Sequence, residues 1–449
     1  MKSDFHQKLM KIVIPITFQN FLLALIPVSD TVMLATLDQN AMSAVSLASR
    51  VSFVLDLFII TITSGASMFA AQFWGIHDKR SIEELYAYCM KLMAPIAFAF
   101  FFANFFFPHA IMRIFTPVPE IIEYGAGYLR VVSFSYILKS FMVITETIMK
   151  NTELVKPVTI ISSAMVVINI LLNAIFIYGL LGVPKLEAIG AGIATTISGG
   201  IGLLAVIIVE LKSGNVKFSF AKLFTIRKEI RSDFIKYTAP VLGNQLSWGI
   251  GFTMLSVIMG HLGGDAIAAN SVVSVVKDLI SCFAFALASG GAILIGNELG
   301  AGKLELAKNY GSKLCKLGIW SGVAAGILMT ALAPLIINVL DLTDTAKKYL
   351  LAMLIMSVYY MVGRTMNCVT IAGIFCAGGD TTFGFICDTV TMWCFIVPVG
   401  FLAAFVFKLP VLVVYFLLNL DEMVKLPVVY RHYKKYRWVK NLTETAQQS

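Results

Sequence analysis

Charged residues are scarce in this chain of 449 residues, of which 58% are hydrophobic and only 14% are Asp, Glu, Lys or Arg. A water-soluble domain of this length needs a polar surface, and a mean hydropathy of +0.83 excludes one. The apolar segments are mostly about 20 residues or longer, the length that crosses the hydrocarbon layer as a helix. They lack the alternation that barrel strands need. The sequence therefore predicts an all-α integral membrane protein.

Motifs for metal, redox and nucleotide chemistry are also missing. The seven cysteines lie in or beside apolar segments and form no C-x-x-C pair, which argues against disulfides and metal centres. The five histidines show no ligand spacing, and there is no G-x-x-x-x-G-K segment of an ATP-driven pump. The sequence shows no arrangement of a nucleophile with a general base that would indicate an enzyme. We therefore expect neither enzymatic activity nor a cofactor.

Turn signals and charges divide the chain into about 12 candidate membrane spans. The first apolar segment has no small-residue cleavage site, so we expect a retained helix and not a removable signal peptide. Lys and Arg concentrate in alternate loops, which predicts that both termini are cytoplasmic. The basic stretch from Lys217 to Lys236 then forms a central cytoplasmic loop, which we interpret as a lipid-facing linker and not as a nucleic-acid surface.

An internal repeat relates the two halves of the chain. The matching pairs, each about 225 residues apart, are Pro15 with Pro240, Gln19 and Asn20 with Asn244 and Gln245, Gly65 with Gly290, Gln72 with Asn297, Gly75 with Gly300, and Lys91 with Lys316. Because each half holds about six spans, we predict two parallel six-helix bundles related by a pseudo-two-fold axis along the membrane normal. The predicted boundaries are 1–212 for the first bundle, 213–232 for the linker, 233–432 for the second bundle and 433–449 for a cytoplasmic tail.

Several motifs, in order along the chain, resemble the multidrug and toxic compound extrusion (MATE) family of transporters. The segments that carry the resemblance are VSDTVMLATLDQNAMSAVSLA (28–48), AAQFWGIHDKR (70–80), INILLNAIFIYG (168–179), AIGAGIATTIS (188–198), GNELGAGK (296–303) and CAGGDTTFG (376–384). The resemblance implies a cation-coupled antiporter that exports amphipathic, often cationic drugs or organic compounds by alternating access. It also implies a multi-pass protein of the bacterial inner membrane, which we expect to act as a monomer in the lipid bilayer.

The same resemblance places the coupling ion, H⁺ or Na⁺, at Asp30 of the first helix. Asn169, Asn173 and Thr195 match the polar residues that assist this acid in the family. Some relatives carry a second carboxylate at the position of Asn173, and its absence here weakens a Na⁺ assignment. Independently of the resemblance, a carboxylate inside a membrane helix is a functional candidate. Pro27, one turn earlier, lets the helix bend near it.

The second half offers a different set of candidates. Family acids expected near Trp248 and near Arg364 are missing, so Asp388 is the candidate substitute. As residues of the substrate cavity we predict Gln19, Asn20, Asn244, Gln245 and Trp248, with interhelical hydrogen bonding as the alternative for the four amides.

Other buried charges have weaker claims to a role in transport. Lys139 and Glu146, and Lys277 with Asp278, are equally well explained as structural ion pairs, and Asp56 is a weaker candidate for coupling.

Two rival functions remain at this point. A lipid-linked oligosaccharide flippase of the same superfamily would need several cavity cations for a pyrophosphate, whereas only Lys139, Lys277 and Arg364 are available. A transporter of the major facilitator fold would also have two parallel halves, but the motifs above resemble the other family.

Overall fold

The computed structural model describes residues 2–223, 226–340 and 342–443, with side chains from Phe5 onward. Within these ranges every regular element is helical, which confirms the predicted all-α class. The α-helices are α1 (Lys2–Ala35), α2 (Gln39–Gly75), α3 (Lys79–Phe106), α4 (Pro108–Phe115), α5 (Pro119–Asn151), α6 (Val155–Tyr178), α7 (Glu187–Ser213), α8 (Lys228–Gly260), α9 (Gly264–Gly300), α10 (Leu304–Val339), α11 (Asp344–Asn367), α12 (Thr381–Val390), α13 (Val397–Phe401), α14 (Val411–Leu418) and α15 (Asp421–Lys434). π-Helical segments follow α11, α12 and α13 at Cys368–Phe375, Thr391–Ile396 and Leu402–Val406.

Among the described residues, eleven helices are long and apolar enough to cross a membrane. Two of these spans include π-helical turns, Asp344–Phe375 and Thr381–Val406. The predicted twelfth span corresponds to α14 and α15, which the chain separates at Asn419 and Leu420. The break places charged residues at the start of α15, where a continuous apolar span would have none.

Several helix ends are determined by local capping residues that can be identified in the sequence. Asp38 caps α2 by accepting a hydrogen bond from the backbone N–H of Asn40 at 2.7 Å, and this bond lowers the pKa of the Asp38 carboxyl. Asp78 caps α3 through the N–H of Ser81 at 3.1 Å. Gly179 ends α6 with a φ of 74°, a left-handed conformation that costs glycine little. The chain breaks that the sequence predicts near residues 38–40 and 77–80 are confirmed.

The helices form two compact units, residues 18–232 and residues 1–17 with 233–449. We call them the first unit and the second unit. The predicted boundary at residue 212 therefore differs from the division into these two units in two respects. The start of α1 groups with the second unit, and the predicted linker 213–232 groups with the first. The linker is held there by Arg227, which pairs with Glu84 at 2.9 Å, and by Phe218, whose ring contacts that of Tyr86.

The predicted tail 433–449 is not a separate segment over its described part. Trp438 is fully buried, and its indole stacks on the ring of Tyr433 with 5.8 Å between ring centroids. A Cβ at Gly378 would lie 1.6 Å from the carbonyl oxygen of Trp438, so the chain can pass there only over a glycine. Residues 433–443 thus belong to the packed second unit because a large aromatic side chain anchors them.

Candidate functional site

Asp30 lies on α1, one turn after Pro27, and its side chain is buried, with 7% of its surface exposed. The amide nitrogen Nδ2 of Asn173 on α6 donates a hydrogen bond to its Oδ1 at 2.5 Å. No Lys, Arg or His within the described ranges forms an ion pair with this carboxylate. An acid that is desolvated and lacks a basic partner is costly to keep ionised, so this position favours the binding of a cation.

Further polar side chains extend from Asn173 into the first unit. Asn173 Nδ2 also donates to Asn169 Oδ1 at 3.3 Å, and Asn169 Nδ2 lies 3.4 Å from Thr195 Oγ1 and 3.2 Å from Ser198 Oγ. We call these five residues, Asp30, Asn169, Asn173, Thr195 and Ser198, the Asp30 cluster. The structure brings together the four predicted coupling residues of this half. Ser198, one turn beyond Thr195, was missed, although the AIGAGIATTIS segment contains it.

The Asp30 cluster also contains an orphan acceptor. Asn173 Oδ1 is buried and has no hydrogen-bond partner among the described residues. Buried amide oxygens are nearly always paired, so this oxygen is a ready ligand for a cation or a water.

A second polar network in the first unit surrounds Gln19. Its Nε2 donates to Glu146 Oε2 at 3.1 Å and to Ser162 Oγ at 2.9 Å, and the side chain is only 1% exposed. Glu146 also accepts from Ser162 and lies 3.7 Å from Lys150 Nζ. Gln19 therefore joins α1, α5 and α6 and has no surface left for a substrate. This geometry supports the alternative of interhelical hydrogen bonding over the predicted cavity role. Asn20 beside it is half-buried.

Lys139 and Asp56 form an ion pair with each other. Lys139 Nζ lies 2.6 Å from Asp56 Oδ1, and both side chains are partly exposed. The pair neutralises both charges, which supports the structural interpretation of Lys139 and makes Asp56 a poor site for a further cation.

In the second unit Asp388 is held by a base and an amide. Lys425 Nζ lies 2.9 Å from Asp388 Oδ1, and Asn244 Nδ2 donates to Asp388 Oδ2 at 2.9 Å. Lys425 also pairs with Glu422 at 3.0 Å, and Glu422 accepts from Asn367 Nδ2 at 2.8 Å. Asp388 is thus compensated by a permanent cation, unlike Asp30, and it makes a poor substitute for the missing family acids.

Further charges lie beside this pair. Arg364 Nη2 is 3.9 Å from Asp278 Oδ1, and Arg364 Nε donates to Ser281 Oγ at 3.1 Å. Lys277 donates to Asn419 Oδ1, and its Nζ lies 4.0 Å from the ring centroid of Tyr360. We call Lys277, Asp278, Arg364, Asp388, Asp421, Glu422 and Lys425 the charge cluster.

Sequence reasoning missed the three members of the charge cluster on α15, Asp421, Glu422 and Lys425. Three charges within five residues, directly after an apolar run, are the signal that could have found them.

Of the remaining predicted cavity residues, Asn244, Gln245 and Trp248 are half-buried on α8. Asn244 is bonded to Asp388, and the Trp248 ring stacks on Phe252 with 5.4 Å between centroids. Trp248 also lines a small cavity with Asp388, Thr391, Met392, Asp421 and Lys425. No group of three or more His, Cys, Asp or Glu in the described part of the chain could hold a metal ion.

Comparisons with known proteins agree with this architecture. The model of the MatE family matches residues 15–175 and 240–417. The "Uncharacterized transporter YisQ" of Bacillus subtilis is 24% identical over 426 residues, which cover 92% of this chain and 90% of that protein. The "Probable multidrug resistance protein NorM" of Bacillus cereus is 23% identical over 413 residues, with 90% of each chain covered. A crystal structure described as MATE in complex with MaL6 has a TM-score of 0.87 at 17% identity and covers 98% of this chain and 97% of its own.

Proposed function

This chain belongs to the MatE family of membrane transporters, and from that premise we propose that it is a secondary antiporter that exports amphipathic organic cations in exchange for H⁺ or Na⁺. The chain is a multi-pass membrane protein of a transporter family and not of an enzyme family. Because relatives such as the NorM protein of Bacillus cereus are bacterial, we propose the bacterial plasma membrane as its location, with both termini cytoplasmic.

The observation that carries the proposal is Asp30, a buried carboxylate that accepts a hydrogen bond from the Asn173 amide and has no basic partner in the described ranges. Desolvation disfavours the ionised form of such an acid, whereas a bound cation or proton neutralises it. Whether Asp30 holds a cation or a proton therefore depends on whether water and ions reach its carboxylate. A group that loads on one side of a membrane and unloads on the other needs this property.

The coupling ion is proposed from the ligands available. A proton neutralises Asp30 without further ligands, whereas Na⁺ needs several oxygens to replace its hydration shell. The Asp30 cluster provides one carboxylate, and its nearest additional acceptor is the orphan Oδ1 of Asn173. This set favours H⁺ over Na⁺.

The exported compound is proposed from two supports. Relatives are described as probable multidrug resistance proteins. In the second unit, the ring of Trp248 stacks on Phe252 and lies beside Asp388 and Asp421, and an aromatic face near carboxylates suits a flat cation.

A pyrophosphate flippase finds less support. Lys139 pairs with Asp56, Arg364 lies beside Asp278, and Lys277 is bonded to Asn419. Each cation counted for that function already has a partner. A phosphate group would have to displace these partners before it could bind.

The test uses the purified chain in lipid vesicles loaded with a fluorescent cationic dye. A pH gradient and a Na⁺ gradient are imposed separately, and the initial rate of dye movement is measured. We expect movement with the pH gradient and at least a tenfold loss of rate in Asp30→Asn. Asp56→Asn is the matched control, because it neutralises a paired acid of the same unit, and it should keep most of the wild-type rate. Full dye transport by Asp30→Asn would refute the coupling role, and movement of a lipid-linked sugar in place of dye would favour the flippase.

A further inference from the structure

Asp421 differs from the other carboxylates of the charge cluster. It opens helix α15 and is 8% exposed, and its Oδ1 is buried without a hydrogen-bond partner among the described residues. It forms no ion pair within the ranges that the structure describes, whereas Asp388 and Glu422 share Lys425 and Asp278 lies 3.9 Å from Arg364. A buried carboxylate oxygen without a donor is costly in the ionised form.

The charge cluster as a whole has one acid too many. It contains four carboxylates, Asp278, Asp388, Asp421 and Glu422, against three bases, Lys277, Arg364 and Lys425. Full ionisation would therefore leave one net negative charge inside the second unit. Since Lys425 is already engaged by two carboxylates, the uncompensated charge falls on Asp421.

The orphan carboxylate lines a cavity. Asp421, Asp388, Lys425 and Trp248 border a space of about 10 Å³, which is enough for about one water molecule. The groups that lie near Asp421 on the surrounding helices are Lys277 on α9, Tyr359 and Tyr360 on α11, Asp388 on α12, and Glu422 and Lys425 on its own helix. Arg364 on α11 lies near Glu422.

We propose that Asp421 is a second proton-binding site of this protein, one that takes up a single proton from bulk solution, relayed through the adjoining cavity, which has room for about one water molecule. Protonation removes the excess charge of the charge cluster and turns an orphan acceptor into a hydroxyl that can donate to that water. The site is separate from the Asp30 cluster, and the inference holds whether or not Asp30 couples transport.

The geometry favours a proton over a metal cation at this place. A Na⁺ ion in the cavity would lie beside the Lys425 ammonium, and the two positive charges would repel each other. The cavity also lacks room for the several oxygens that a hard cation needs. A proton requires neither space nor additional ligands.

The experiment is an infrared titration of the full-length protein in lipid nanodiscs, which reads the carbonyl stretch of protonated carboxyl groups. Wild type, Asp421→Asn, Asp30→Asn and Asp278→Asn are compared between pH 5 and pH 9. Asp278 is the matched control, since it belongs to the same charge cluster but its side chain is 71% exposed. We expect Asp421→Asn to lose the signal of one carboxyl group per chain and Asp278→Asn to keep it. Asp30→Asn should lose a different component, so that the double variant loses both.

An unchanged spectrum in Asp421→Asn would overturn the proposal, and so would an equal loss in Asp278→Asn. If Asp421→Asn does not fold, Asp421→Glu replaces it and must shift the band position while keeping one titrating proton. Repeating the titration in Na⁺ and in K⁺ at equal ionic strength tests the choice of ion, because loss of the band in Na⁺ alone would overturn the assignment to a proton. Dye transport by the Asp30 variant bears on the proposed function only, so the two failures can be told apart.

Discussion

The carboxylate of Asp30 in the first unit and those of Asp388 and Glu422 in the second unit have opposite kinds of partner. Asp30 accepts a hydrogen bond from the Asn173 amide, whereas Asp388 and Glu422 are neutralised by Lys425. An acid of the first kind must obtain its counter-charge from solution, and one of the second kind carries it permanently. The comparison shows that one chain can bury a carboxylate beside an amide without a base in one unit and hold carboxylates in fixed ion pairs in the other.

The largest expected effect comes from removing the fixed counter-charge. Lys425→Met leaves Asp388 and Glu422 buried without their base, which should reduce the free energy of unfolding by about 3–5 kcal/mol. Thermal unfolding in detergent measures it. Asp30→Asn should cost far less stability, because no basic partner loses its charge. Equal losses in the two variants would erase the contrast between the units.

A smaller effect is expected at Gln19. Gln19→Leu removes the donor to Glu146 and Ser162, and we expect a loss of about 1–3 kcal/mol in unfolding free energy. The rate of dye export per folded molecule should stay near that of wild type, since the side chain has no free surface. Gln19→Glu, which keeps the shape but repels Glu146, should be at least as destabilising. A variant with normal stability and a changed range of substrates would restore the predicted cavity role.

The helix ends that depend on local capping residues could be predicted from the sequence. Asp38 and Asp78 cap helices at the chain breaks predicted near residues 38–40 and 77–80. Asp30 and Asn173 meet as the family resemblance implied, although 143 positions separate them.

The packing of the charge cluster could not be predicted from the sequence, because the burial of Glu422 and Lys425 depends on partners that are distant in sequence. Asn367 and Asp388 are separated from them in sequence by 55 and 37 positions. A Cβ at Gly363 would meet Glu422 Cβ at 2.9 Å, so the approach of α15 to α11 depends on that glycine. The three charges within residues 421–425 mark this segment as unusual, but the same local pattern fits an exposed helix end and a packed network. The anchoring of Trp438 was missed for the same reason.

The contrast can be sharpened by adding an acid to the first unit. Asn173→Asp places a second carboxylate against Asp30 and gives Na⁺ two anionic ligands. We expect dye export to become dependent on a Na⁺ gradient, with apparent Na⁺ affinity increased about tenfold, equivalent to about 1.4 kcal/mol. Transport driven by a Na⁺ gradient in vesicles measures this change. Asn173→Leu, which removes the amide without adding charge, is the control and should not gain Na⁺ dependence. An unchanged ion preference in Asn173→Asp would mean that the carboxylate count does not decide the coupling ion.

The smallest effect is expected where an ion pair is open to its surroundings. Lys139→Met removes the partner of Asp56, but the Lys139 side chain is 45% exposed and that of Asp56 is 33% exposed, so the remaining carboxylate can be hydrated. We expect a loss of no more than about 1 kcal/mol in unfolding free energy, measured by the same thermal unfolding. The double variant Lys139→Met with Asp56→Asn should recover most of it. A loss as large as that of Lys425→Met would mean that a partly exposed ion pair of the first unit stabilises the protein as much as a buried one of the second unit, and the contrast would then be confined to the surroundings of Asp30.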